Sequence, residues 1–336
     1  MGERARLVNV LVTGGGFLGS ALARRLLARG DGVRVFGRRA RPALRAEGVE
    51  VLCGDVADPA HVAAAVAGCE AVFHTAAQVG SWGRPALFER TNVEGTRNVI
   101  AACLQHGVRR LVFTSSPSVA HGRGDCEGID ESHGYAEAFD AEYPRTKAIA
   151  ERLVLAANGR ALATLALRPH LMWGPGDTQL IPRVVARARA GTLRLPGGPA
   201  KRVDCTYVDN AVDAHLAALA RLAPGAVCAG RAYFISQGEP LPQRDLITQV
   251  LEAVGIPGPF PTVAPWILRR AGAAAEAWWR VRGIWDREPP LTRFVARQLT
   301  SAHWFDISAA RRDLGYEPRV SIATGLARLR RDAFGS

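Results

Sequence analysis

Val10-Leu11-Val12-Thr13-Gly14-Gly15-Gly16-Phe17-Leu18-Gly19 decides the fold of this chain. A β-branched run meets three consecutive glycines and passes into an Ala-, Leu- and Arg-rich segment, 18–29, that reads as a helix. A GxGxxG spacing means little alone, but between a strand and a helix it has a mechanism. The glycines let the backbone approach a ligand, and the amides at the helix N-terminus face an anion. The expected ligand is the pyrophosphate of a dinucleotide, held by Gly14, Gly16, Phe17, Leu18 and Gly19.

Outward from this turn, short β-branched runs alternate with helical runs. Residues 7–13, 33–37, 49–53, 71–74, 110–115 and 162–167 read as strands, and 18–29, 59–67, 85–105 and 144–157 as helices. That alternation predicts an α/β fold with a doubly wound parallel sheet and right-handed crossovers. After Pro169 the pattern loosens into turn clusters such as Gly174-Pro175-Gly176-Asp177 and Pro196-Gly197-Gly198-Pro199. A strand at 206–208 and a helix at 209–221 are expected to rejoin the sheet. The nucleotide domain is therefore placed at 5–172 plus about 204–228. Residues 173–203 and 229–336 are assigned to a smaller, mostly helical substrate cap over the carboxyl edge of the strands.

The second strand ends in Gly37-Arg38-Arg39, without the acidic residue that NAD-binding folds place against the adenosine ribose. Arg38 or Arg39 suits a 2′-phosphate instead, so the expected cofactor is NADP(H). Asp55, after the third strand, either reaches the adenine or caps the helix before Pro59.

Tyr143 and Lys147 stand at i and i+4 in Tyr143-Pro144-Arg145-Thr146-Lys147, so both project from one helix face, with Pro144 at its first position. A phenol with a pKa of about 10 becomes a usable acid or base when a cation lies near its oxygen. A third hydroxyl is expected at the end of the strand 110–115. Ser116 is the choice for polarising a carbonyl, with Ser115 and Ser118 as alternatives.

The net charge is +12, yet only Lys147 and Lys201 are lysines and the arginines are spread along the chain, which is compositional bias and not a nucleic-acid stripe. The six cysteines form no CxxC pair and the eight histidines have no ligand spacing, so free thiols and no metal are expected. The first residues lack the regions of a secretory signal, and no apolar run approaches the roughly 20 residues of a membrane span. Cytoplasmic residence is expected.

Together these motifs resemble the extended short-chain dehydrogenase/reductases, and within them the 3β-hydroxysteroid dehydrogenase-like branch. The likeness includes Gly54-Asp55, His74-Thr75-Ala76-Ala77, Thr91-Asn92-Val93-Glu94-Gly95-Thr96, Thr114-Ser115-Ser116, Leu167-Arg168-Pro169 and Thr206-Tyr207-Val208-Asp209-Asn210. It implies a Rossmann domain, Tyr143 as general acid, Lys147 on the nicotinamide ribose, Ser116 on the carbonyl and Asn92 in support. It also implies cofactor contacts from Asp55, Val56, Ala76, Ala77 and Pro169. The glycine turn is one residue shorter than the family's GxxGxxG.

The stretches Ala166 to Asp177, Ala232 to Pro240 and Ala302 to Phe305 resemble members that reduce C2-alkylated long-chain β-keto acids with NADPH on the way to olefins. A 3β-hydroxysteroid or sterol-4α-carboxylate 3-dehydrogenase is the alternative, and a non-catalytic NADP(H) sensor a second one. Sugar-nucleotide enzymes of the superfamily often carry Arg where this chain has Val203, which disfavours such substrates. Trp266, Trp278, Trp279, Trp285 and Phe294 suit either a cover for alkyl chains, a membrane surface or an ordinary core. Arg269, Arg270, Arg280 and Arg282 exclude a spanning helix. They suit a substrate carboxylate or a partner, so the expected partners are a lipid-like substrate, a membrane surface or pathway enzyme, and a second copy pairing through the helices at 85–105 and 144–157.

Overall fold

The computed structural model describes residues 8–122 and 124–334. The expected strand start at Leu7 and domain start at residue 5 lie outside the described residues. Seven strands form the main sheet: β1 (Asn9–Thr13), β2 (Gly32–Gly37), β3 (Glu50–Cys53), β4 (Ala71–His74), β5 (Arg110–Thr114), β6 (Ala163–Pro169) and β7 (Ala232–Ile235). Their spatial order is β7-β6-β5-β4-β1-β2-β3, and every pairing is parallel. Strand order reverses between β1 and β4, which opens a crevice at their carboxyl ends. β4 and β6 are buried along their whole length, as expected of parallel strands covered on both faces.

Helices α1 (Phe17–Arg29), α2 (Pro59–Val66), α3 (Gly95–Gln105), α4 (Glu142–Ala156) and α5 (Val208–Arg221) supply the two covering layers. Leu22 and Leu26 of α1 and Ala211 and Leu219 of α5 close over one face of the sheet. Val62 of α2, Val99 of α3 and Ala150 and Val154 of α4 close over the other. α1 stops at Gly30, whose φ of 94° only glycine adopts readily. α2 starts where Asp58 accepts hydrogen bonds from the Ala60 and His61 amides ahead of Pro59. The cap of α2 is therefore Asp58 and not Asp55.

Three expectations need correction. The helix expected over 85–105 is in three pieces: Pro85–Phe88, a π-helical turn at Glu89–Glu94, and α3. The last strand of the main sheet is β7, not 206–208. Thr206–Tyr207 instead pairs with Met172–Trp173 in a separate two-stranded ribbon, while α5 does return to the sheet layer. Both candidates are short apolar runs beside turns, and only the free edge of β6 selects between them. Finally, α4 begins at Glu142, so Pro144 occupies its third position, still within the first turn where its missing N–H costs nothing.

Outside the main sheet, Leu241–Pro242, Arg202–Val203, His303–Phe305 and Cys126–Ile129 form a second, four-stranded sheet. It ties the segment after β5 to the C-terminal third, which carries helices α6 (Pro265–Val281) and α7 (Arg293–Thr300).

Under α4 a buried ion pair joins helix to sheet: Arg168 of β6 donates to both Glu151 carboxylate oxygens, at 3.1 and 2.6 Å. Removing one partner strands the other charge in the interior. Glu151→Gln is expected to lower unfolding free energy by about 3 kcal/mol, as read by chemical denaturation. An unchanged midpoint contradicts the role given to the pair.

Two core histidines are neutral by geometry. The His215 Nδ1–H donates to the Ala211 carbonyl at 2.7 Å, leaving Nε2 to accept from the Thr114 hydroxyl at 2.8 Å. Burial pushes His215 down to about 4, and burial, reinforced by the Lys147 charge, pushes His74 down to about 3. The unfolded chain takes up these protons below about pH 6.5 and the folded chain does not. Stability is thus full above pH 6.5 and declines as pH falls towards 3 to 4. The melting temperature is expected to drop between pH 7.5 and 5; a constant or rising value contradicts neutral burial.

Candidate active site

The carboxyl ends of β1 and β4 converge on one hydrogen-bonded chain. The Ala76 amide donates to the Thr13 hydroxyl at 3.3 Å, and Thr13 donates to His74 Nδ1 at 2.7 Å. His74 Nε2 in turn donates to Thr96 at 2.9 Å, whose hydroxyl hydrogen goes to the Asn92 carbonyl at 2.6 Å. The directions follow because a backbone carbonyl only accepts. Asn92 lies in the π-helical turn, where its side chain takes the Gln78 amide at 2.7 Å and gives to the Gln78 carbonyl at 3.0 Å and Thr146 at 2.9 Å. It therefore staples the loop after β4 to α4. The extra residue of a π turn re-aims such a side chain.

The glycine turn is compact despite its missing residue. Gly14 has φ +85° and packs on Ala76, while a Cβ at Gly19 would stand 1.8 Å from the Gly14 carbonyl oxygen. Its neighbour Gly16 caps α1 without any side-chain acceptor, and a Cβ there meets nothing within 4 Å. The first turn of α1 thus presents backbone amides to open space, with no acidic residue among them. This cradle fits a pyrophosphate.

Arg38 and Arg39 follow β2 as exposed side chains without an ion-pair partner among the described residues. The sequence reading missed Arg41, whose Nε and Cγ lie 3.1 and 3.2 Å from the position of a Gly15 Cβ. Its signal was Pro42, which starts a short helix and fixes the residue before it. Asp55 is held by Arg90 at 2.7 Å and by the Ala57 amide, so one of its oxygens is already committed to a cation. Val56 is buried against Gly95, and Pro169 ends β6.

Tyr143 and Lys147 do share one face of α4. Burial raises the pKa of the Tyr143 phenol, and the neighbouring Ser116 hydroxyl partly lowers it. Ser116 also lies 2.9 Å from the Ser118 hydroxyl and accepts its amide, whereas the buried Ser115 hydroxyl has no partner. Of the three serines, Ser116 is the one set against the phenol. Lys147 is buried beneath, its ammonium donating to the Thr114 carbonyl at 2.6 Å and standing 3.9 Å from the Phe113 ring. Burial pushes it down to about 7, a shift that Glu151 opposes. Of its three donors the described residues engage one, which leaves two for a ligand hydroxyl. The neighbour acting on the phenol is thus Ser116, and Lys147 stands back to serve the groove.

The cap clasps the loops after β4 and β5. Trp82 stacks on Trp285 at 5.0 Å and donates to the Ile284 carbonyl, and Glu288 accepts from the Ser81 amide at 3.1 Å. Arg297 of α7 donates to the Gly122 carbonyl at 3.2 Å and pairs with Asp140 just before α4. Below lie three buried histidines the sequence did not group: His303 has its ring 5.0 Å from His121 and 4.9 Å from His170. Asp204 holds His170 at 2.5 Å. Val203 is fully buried among Trp173, Tyr207 and Leu246, so no guanidinium occupies that place. The cap aromatics divide: Trp285 stacks on Trp82 of the loop after β4, Trp279 bonds within the cap, and Trp266 and Trp278 face outward.

Comparison with known proteins agrees with this geometry. Residues 10–265 match the model of the 3-beta hydroxysteroid dehydrogenase/isomerase family. A 2-alkyl-3-oxoalkanoate reductase of Stenotrophomonas maltophilia is 53% identical over 329 residues, covering 96% of this chain and 98% of the relative. One of Shewanella oneidensis is 44% identical over 335 residues, covering 97% and 86%. Among solved structures, the dTDP-glucose 4,6-dehydratase DesIV of Streptomyces venezuelae, with NAD bound, superposes with a TM-score of 0.74 at 26% identity over 96% of each chain. The fold is thus one that binds a nicotinamide dinucleotide. By the family model and by relatives matching over nearly its whole length, this chain belongs to the 3β-hydroxysteroid dehydrogenase/isomerase family of extended short-chain oxidoreductases, which act on a CH–OH or keto group.

Proposed function

We propose that this chain uses NADPH to reduce the keto group of a 2-alkyl-3-oxoalkanoate, giving the 2-alkyl-3-hydroxyalkanoate of olefin biosynthesis. The observation that carries the reading is a buried Lys147 with unused donors, one turn along α4 from the Tyr143 phenol and its Ser116 neighbour. Ser116 positions the carbonyl oxygen. The bound dinucleotide supplies a hydride to the carbonyl carbon, and Tyr143 gives its proton to the oxygen. A phenol whose pKa is raised by burial is protonated at neutral pH, the form that reduction requires. Lys147, with two donors unused, would hold the ribose hydroxyls of the dinucleotide.

Two features support a lipid over a sugar nucleotide. Val203 offers a diphosphate no cation, and the roof over the loop after β4 is the Trp82–Trp285 stack. The two relatives of highest quoted identity are named for this substrate class, while 3β-hydroxysteroid dehydrogenases match at 36–37%.

The test is oxidation of a racemic 2-alkyl-3-hydroxy acid and of a 3β-hydroxysterol with NADP+, followed as nicotinamide absorbance. Turnover of the hydroxy acid is expected; turnover of the sterol alone refutes the assignment. Tyr143→Phe is expected to cut kcat by at least about a hundredfold with dinucleotide affinity nearly unchanged, because proton donation acts in the transition state. Undiminished turnover rules out Tyr143 as the acid. For cofactor choice, the Arg38→Ala/Arg39→Ala/Arg41→Ala variant is expected to lose about tenfold in its NADPH-over-NADH ratio of kcat/KM, since each guanidinium offers charge-assisted bonds to a 2′-phosphate. An unaltered ratio, or a wild-type preference for NADH, removes the 2′-phosphate site.

A further inference from the structure

The outward face of α6 has no partner among the described residues, and its composition is unusual for a solvent-facing helix. The inward positions are Leu268, Gly272 and Glu276, all buried, with Gly272 against the Thr292 carbonyl and Glu276 bonded to Arg293. The opposite face carries Trp266, Ile267, Ala271, Ala274, Trp278 and Val281. Trp266 is 60% exposed, Trp278 55% and Val281 82%. Over the 15 steps from Trp266 to Val281 this stripe runs about 22 Å.

The charges on this face have one sign. Arg270 lies over the Trp266 ring at 5.6 Å and Arg282 over Trp278 at 5.1 Å. The single carboxylate of the helix, Glu276, is buried and turned inward. Exposed tryptophans and aliphatics flanked by arginines match the zone between lipid headgroups and acyl chains, where indoles anchor and guanidiniums meet phosphates. A two-fold pairing of this face with itself would bring arginines against arginines, so a second copy is the poorer fit. No helix of the described residues is long and apolar enough to cross a membrane, which leaves lying on the surface as the mode.

We propose that the outward face of α6 docks this protein onto an anionic lipid surface. The same helix also reaches the loop after β4: Arg280 stands over Trp82, whose ring stacks on Trp285. Docking thus places the cap, which clasps the loops after β4 and β5, beside a reservoir of apolar molecules. The proposal stands on surface composition and is independent of which keto compound is reduced.

The experiment is co-sedimentation of the full chain, without substrate, with vesicles of phosphatidylcholine alone and of phosphatidylcholine mixed with phosphatidylglycerol. Binding to the anionic vesicles is expected, weakened by high salt and nearly absent on the neutral ones. Trp266→Ser/Trp278→Ser/Val281→Ser is expected to bind at least about tenfold more weakly, and Arg270→Glu/Arg282→Glu likewise. These surface changes leave the core intact, as an unchanged melting temperature checks. Wild-type protein that stays in the supernatant, or a triple variant that sediments like wild type, overturns the proposal. So does sedimentation equilibrium showing a dimer that only the triple variant dissociates, which assigns the face to a second copy.

Discussion

The ammonium of Lys147, buried at the end of β5, is the constraint around which this molecule is arranged. A charge in an apolar interior is costly unless hydrogen-bonded. Here the surroundings give it one carbonyl, one aromatic face and, farther along α4, the Glu151 carboxylate, and its pKa falls to about 7. That partial satisfaction suits a ligand-binding group, since two donors are left facing the groove. It also fixes α4 against β5, and with α4 the position of Tyr143 one turn earlier.

The polar network around it works by direction as much as by strength. The chain from Ala76 through Thr13, His74 and Thr96 to Asn92 has one self-consistent proton order, and a second charge on His74 would break it. Burial and the nearby Lys147 together keep His74 neutral. The same chain positions the Ala76 segment against Gly14, so the phosphate cradle and the catalytic face share one framework. The cap adds a contrasting layer: it reaches the core through aromatic stacking and side-chain bonds to loops, with a short sheet at its base.

Much of this was legible in the residues. The glycine turn, the placement of six of the seven strands, and the pairing of Tyr143 with Lys147 follow from local patterns: strand periodicity, the needs of a tight turn, and i, i+4 geometry. What was misread was non-local. β7 and 206–208 are equally strand-like as text. The π turn at Glu89–Glu94 looks like ordinary helix because one inserted residue leaves no mark on composition. Pro42 marks Arg41 as the residue before a helix, but only the tertiary structure shows that its side chain folds back over Gly15.

The sequence by itself determined the doubly wound sheet, the glycine turn ahead of α1 and the spacing of Tyr143 and Lys147 on one helix, because each depends on neighbours within a few positions. Tertiary structure alone decided which serine meets the phenol, which strand completes the sheet and which tryptophans look inward. Those outcomes depend on segments far apart in the chain. Ser116 meets Tyr143 only because the turn after β5 packs on α4, and Trp285 finds Trp82 while Trp278 faces outward only because the segment after α6 folds back on the loop after β4 and leaves the far edge of α6 uncovered.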